Sequence, residues 1–195
     1  MSATAAIAEK KAETSSRLPR KKVTREEFLR DYSDMEDGYK YEWNNGIVEK
    51  TTAMNQEQAT LQAIFLRVFI QTKTFKNGGM FTAETDMETS PVQVRRPDLA
   101  IYSGEQVKQM KKGKKQVAPW LAEVISTNDK ADKINEKLQE YFKAGVQTVW
   151  HIFPASKQVY VYTSPEDVTI CRGATLCSGA PALPDFQISA DDLFA

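Results

Sequence analysis

The 195-residue sequence holds one histidine, two cysteines and no apolar run near the ~18 residues that a membrane-spanning helix requires. A lone histidine excludes paired-imidazole zinc sites. Cys171 and Cys177 stand six positions apart, which is not the C-x-x-C spacing of a zinc or redox centre. Both read as reduced structural thiols of a reducing compartment, and a chain with neither a spanning run nor a signal-peptide stretch is expected in the cytoplasm. Net charge is missing as well: 26 Lys+Arg balance 26 Asp+Glu, so no whole-molecule field draws the chain to nucleic acid or an anionic membrane. Any such binding must be local. The glycine patterns of P-loop and dinucleotide folds are absent, no internal repeat is visible, and MSATAAIAEKKAETSSRLPRKK lacks the apolar stretch of a signal peptide.

What is present is unevenly spread. Residues 1–22 carry six Lys/Arg against Glu9 and Glu13 with few bulky apolar side chains, so they read as a flexible basic tail before a single domain over residues 23–195. A second basic run, KQMKKGKK over residues 108–115, is broken by Gly113 and has no helical apolar face, which predicts a loop. Lys111, Lys112, Lys114 and Lys115 are either a solvated loop or contacts to a phosphate backbone.

From Val23 onward local signals agree. Thr24 and Glu27 form a capping box opening a short amphipathic helix at TREEFLRDYSDM. YKYEWNNGIVEK is two strand-like segments about Asn44-Asn45-Gly46, which predicts a hairpin. Leu61, Ile64, Phe65, Val68 and Phe69 recur at helical spacing in the main core helix, with Gly78-Gly79 as its stop. MFTAE, RPDLAIY and PWLAEVIS read as strands, DKADKINEKLQEYFKAGV as an amphipathic helix ending at Gly145, and QTVWHIF and KQVYVYT as two further strands. DVTIC is a weaker strand before a loop-rich tail. The pattern predicts α/β or α+β, with a mixed central sheet flanked by helices.

Two carboxylates fall where packing would not ask for them. Asp98 follows Pro97 at the head of LAIY, and Glu123 lies within the apolar strand PWLAEVIS. Each is expensive to bury alone, so two acids entering one sheet point to a shared cation, and hard oxygen donors favour Mg²⁺ or Mn²⁺ over zinc. His151, between Trp150 and Ile152, reads as an ordinary strand position.

Pro97-Asp98 followed by Glu123 resembles the PD-(D/E)XK nuclease signature. In the longer context RRPDLAIY, PWLAEVIST and KINEKLQEYFKAGVQTVWHIF, the chain resembles the Uma2 family of restriction-endonuclease-like proteins from about residue 24 to 193. YEWNNGIVE places Glu42 and Glu49 at the acids of that family's hairpin motif. The resemblance implies a restriction-endonuclease-like core, a metal-dependent endonuclease acting on DNA, and Mg²⁺ or Mn²⁺ held by Asp98, Glu123 and the Val124 carbonyl. It also implies that Glu42 serves a second metal or a metal-bound water.

Two departures stand out. The lysine of the generic signature would fall at position 125, which is Ile125; Lys137, on the next predicted helix, matches relatives in which that lysine has moved. Gln58 stands where many relatives carry a histidine. Arg96, beside the motif, is a phosphate contact or a strand-edge charge. The alternative function is a catalytically inactive nuclease-fold module that binds nucleic acid or regulates a partner. Cleaving both strands of a duplex would suit a homodimer.

Overall fold

A computed structural model describes residues 22–53 and 55–195. All but the last residue of the expected basic tail lies outside these. Helix α1 (Arg25–Asp31) begins with the expected box, in which the Thr24 hydroxyl accepts from the Glu27 amide and the Glu27 carboxylate from the Thr24 amide. The hairpin β1 (Tyr39–Asn44) and β2 (Ile47–Thr52) turns on Asn45 and Gly46, both at positive φ, as a two-residue loop of this twist demands. With β4 (Met87–Ser90) and β5 (Gln93–Arg95) it makes a four-stranded sheet of order β2-β1-β5-β4. Phe28 of α1 packs on Tyr41, Trp43, Val48 and Val94 of that sheet.

The larger sheet has six strands in the order β10-β9-β8-β7-β6-β3: β3 (Met80–Ala83), β6 (Leu99–Tyr102), β7 (Trp120–Val124), β8 (Thr148–Phe153), β9 (Gln158–Tyr162) and β10 (Val168–Arg172). Only β7 and β8 are parallel, and the crossover between them is helix α5 (Ala131–Lys143). A mixed sheet between helices is therefore what forms.

Period two along each strand sorts the sheet's faces. Leu99, Ile101, Trp120, Ala122, Trp150 and Ile152 meet Leu61, Phe65 and Phe69 of α2 (Gln56–Phe69), together with Phe186 and Ile188. The opposite face carries Ala100, Tyr102, Leu121 and Val149 against Leu138 and Tyr141 of α5. Because β6 and β7 pair Leu99 with Ala122, Asp98 and Glu123 stand one step further along the same register, on the face that α5 covers.

Four expectations change. Helix α2 ends at Phe69 rather than at Gly78-Gly79, because the Thr72 hydroxyl donates to the Phe69 carbonyl and caps a separate turn, α3 (Lys73–Lys76). The 108–115 run is helical at its start, where α4 (Gly104–Met110) opens on a Ser103–Gln106 capping box. β4 and β5 were not anticipated. The loop-rich tail is the hairpin β11 (Leu176–Gly179) and β12 (Leu183–Ser189) with a final turn, α6 (Ala190–Leu193). The strand expected at DVTIC forms at the sheet edge, paired among the described residues with β9 alone, and its Val168 and Ile170 stay exposed.

Candidate active site

Three structural pieces meet at one cleft of about 580 Å³. Strand β1 of the small sheet brings Lys40 and Glu42, β6 and β7 of the large sheet bring Asp98 and Glu123, and α5 brings Lys137 and Tyr141. The first five line the cleft, with Val124, Gln58 and His151. The four residues expected to be catalytic, Glu42, Asp98, Glu123 and Lys137, are thus brought together.

Asp98 is fixed through both oxygens: Oδ1 takes the Lys40 ammonium at 2.5 Å and Oδ2 takes the Val124 amide at 2.7 Å. Val124 therefore reaches the acid through its N–H. Glu123 Oε1 accepts from the Tyr141 hydroxyl, and the Lys137 ammonium stands 3.8 Å from the same oxygen. Burial raises the pKa of Glu123, the neighbouring Asp98 adds to the rise, and Lys137 only partly offsets it. Burial likewise holds Tyr141 protonated, reinforced by the Glu123 charge.

Glu42 is fully buried with the opposite outcome. Its Oε1 accepts from Lys137 at 2.9 Å and from the Arg96 amide at 3.0 Å, and its Oε2 from Arg95 at 3.1 Å. Burial alone would raise its pKa, but Lys137, Lys40 and Arg95 together bring it down to about 2. With three donors already on its oxygens, Glu42 is organised around Lys137 and Arg95. Lys137 stays charged, since Glu123 and Glu42 overcome the cost of its burial. Lys40 does the same through Asp98, Glu123 and Glu42. Burial and Lys137 push His151 down to about 4, so it is neutral near pH 7 and tilted against the Tyr162 ring, with centroids 5.0 Å apart.

Arg95 holds the acids of the hairpin. Glu42 and Glu49 are direct cross-strand partners, a repulsive pairing if left alone. The Arg95 guanidinium joins them, reaching Glu49 at 2.5 Å, and grips Glu140 of α5 through a fork of 2.6 and 2.8 Å.

The remaining expected residues lie elsewhere. Arg96 directs its guanidinium to Asp86 at 2.7 Å and to the Ser33 carbonyl at 2.6 Å. Lys111, Lys112, Lys114 and Lys115 are exposed and do not line the cleft; they precede β7, at the end of the strand away from Glu123. Gln58 closes the capping box of α2 with Asn55 at the cleft wall. Lys40, Arg95, Glu140 and the polar role of Tyr141 were not foreseen. Lys40 carried a signal, because a lysine two residues before Glu42 on a strand shares its face.

Among the described residues, no group of three or more His, Cys, Asp or Glu side chains is arranged as a metal cage. Asp98 and Glu123 nevertheless fit Mg²⁺ or Mn²⁺. Such ions are held by one or two carboxylates with water and substrate oxygens completing the shell, and each carboxylate keeps lone pairs beyond its present bonds.

The family described as Uma2, "Putative restriction endonuclease", matches residues 25–191. The chain belongs to the Uma2 family. A crystal structure from Anabaena variabilis ATCC 29413, described as a putative nuclease belonging to DUF820, aligns with a TM-score of 0.74 and 18% identity over 88% of this chain and 97% of that one. That likeness shows the fold. No curated protein matches the sequence. Uma2 membership supports a nuclease-like function, and no helix among the described residues is long and apolar enough to cross a membrane.

Proposed function

We propose that this Uma2 protein is an endonuclease that hydrolyses phosphodiester bonds in DNA with Mg²⁺ or Mn²⁺. The observation that carries the reading is the placing of Asp98 and Glu123 side by side on one sheet face, with the Lys137 ammonium 3.8 Å from Glu123. A divalent cation held by Asp98, Glu123 and the Val124 carbonyl would supply acidification of a water and charge neutralisation at the attacked phosphate.

The chain's own residues do the rest. The Val124 amide fixes the Asp98 carboxylate, and the Tyr141 hydroxyl orients Glu123. Lys137 stays protonated and offers a preorganised donor for the attacking water or a phosphate oxygen. Glu42 holds that ammonium in place instead of serving a second metal, and Arg95 holds Glu42. The Arg96 guanidinium, engaged by Asp86 and Ser33, is left out of phosphate binding. Buried, free Cys171 and Cys177 suit a reducing cytoplasm, and a two-fold homodimer would present one such site to each strand of a duplex.

The test is cleavage of supercoiled plasmid and single-stranded DNA with Mg²⁺ or Mn²⁺. Wild type should nick and linearise plasmid, Asp98→Ala should do neither, and Lys137→Ala should lose roughly 10²–10³-fold in single-turnover rate while still binding cation. Absence of metal-dependent cleavage by wild type on both substrates would leave the inactive-module reading in its place.

A further inference from the structure

Lys40 has no part in the proposed hydrolysis, yet it is among the most costly side chains in the cleft to place. It is 6% exposed, and among the described residues its ammonium touches two acceptors: Asp98 Oδ1 at 2.5 Å and the Arg96 carbonyl at 3.2 Å. No other cation is available to Asp98 among the described residues. Lys137 is held by Glu42, and Arg95 is divided among Glu42, Glu49 and Glu140. The other Asp98 oxygen is occupied by the Val124 amide, which belongs to the backbone of β7 and cannot leave without breaking the strand.

We propose that Lys40 is the resident counter-ion of Asp98 and competes with a divalent cation for Oδ1, so that it sets how tightly the site holds metal. The inference rests on reading Asp98 as a metal ligand. An ammonium hydrogen-bonded to a buried carboxylate stabilises the metal-free fold by neutralising it, and a divalent cation approaching the same oxygen meets both occupancy and like-charge repulsion. Metal binding is then an exchange of one cation for another. The ammonium leaves Oδ1 while the long lysine stem stays in its slot, which four rotatable bonds allow. The fold is thereby spared an uncompensated buried acid at Asp98 when cation is scarce, at the cost of weaker affinity.

Calorimetric titration of the full-length chain with Mn²⁺ and with Ca²⁺ tests this without turnover. Lys40→Gln should bind either ion at least tenfold more tightly than wild type, and Asp98→Asn should bind neither. Wild type and Lys40→Gln with equal affinity, or a weaker variant, overturns the counter-ion role while leaving the metal site standing. No binding by wild type or by Lys40→Gln removes the metal reading and this inference with it. A second measurement needs no variant: amine acylation of wild type, followed by peptide mass spectrometry. Lys40 should be labelled several-fold faster in saturating Ca²⁺ than without metal, while exposed Lys111 is labelled equally in both; unchanged labelling of Lys40 overturns the proposal.

Discussion

Glu42 and Glu123 begin with the same side chain and are both buried, and neighbours send them in opposite directions. Glu42 has Lys137, Arg95 and the Arg96 amide; Glu123 has a neutral phenol and one more distant ammonium. A carboxyl whose folded pKa is raised adds stability only below its unfolded value, and loses it as pH rises through the folded one. At pH 7 Glu123 is therefore a cost. Glu123→Gln should raise the metal-free melting temperature, by roughly 2–4 °C for each kcal/mol relieved, while divalent-cation binding is lost. A lower melting temperature for that variant at pH 7 would contradict the account of its environment.

His151 and Glu42 carry the opposite sign, since both folded pKa values are depressed. Their stabilising effect is present above the unfolded values and disappears as pH falls, from about 6.5 to about 4 for His151 and from about 4.5 to about 2 for Glu42. Through these two groups acid should weaken the fold in two stages, with protonation of Glu123 opposing the upper one. For buried His151 the first stage is worth about 3 kcal/mol, at about 1.4 kcal/mol for each pH unit. His151→Gln should flatten the upper stage and leave the lower one, as circular dichroism melts at pH 7, 5 and 3 would read. A single-stage loss in both proteins would rule this out.

At the scale of elements, Arg95 is the fastening between the small sheet and the crossover helix. From the end of β5 it binds Glu42 of β1, Glu49 of β2 and Glu140 of α5. Arg95→Met would leave Glu140 without its partner, and Glu42 and Glu49, opposed across β1 and β2, with Lys137 and Lys133 as their ion-pair partners. Breaking one side of a buried ion pair usually costs ~3–5 kcal/mol, so denaturant melts should show a loss of this order. Neutralising Glu49 and Glu140 in the same protein should recover part of it; a single Arg95→Met variant as stable as wild type would show that the cluster does not fasten the small sheet to α5.

The same elements show what was legible beforehand. The β1–β2 turn was readable because Asn45-Gly46 is a local steric requirement, and α1 because its cap is closed within four residues. Asp98 and Glu123 were readable as anomalies in apolar strands. Arg95 was not, since its partners lie 46, 53 and 45 residues away in sequence and nothing local distinguishes it from a surface arginine. The end of α2 was missed because a threonine hydroxyl stopped the helix before the glycines could. β4 and β5, four and three residues long, are too short to show a period.

On the scale of the whole molecule, the candidate site is shared by two sheets and a helix, so its geometry depends on how these are packed rather than on any one of them. Asp98 and Glu123 ride on neighbouring strands of one sheet and keep their spacing if the sheets shift. Glu42 and Lys40 ride on the other. A slight opening between the sheets would separate acid from lysine before it separated acid from acid.

The large sheet also stops abruptly at β10. Val168 and Ile170 are about half exposed on a strand that, among the described residues, has a partner on one side only, and an edge of this kind is a template for further strands. Its consequence concerns handling in concentrated solution rather than chemistry. As the chain is warmed toward its melting point, intermolecular strand addition should begin here, giving turbidity that rises with concentration. Ile170→Lys, which places a charge on that edge well away from the cleft, should delay the onset of light scattering in heated samples without altering the melt of dilute protein. If onset is the same for both proteins, association starts from another surface.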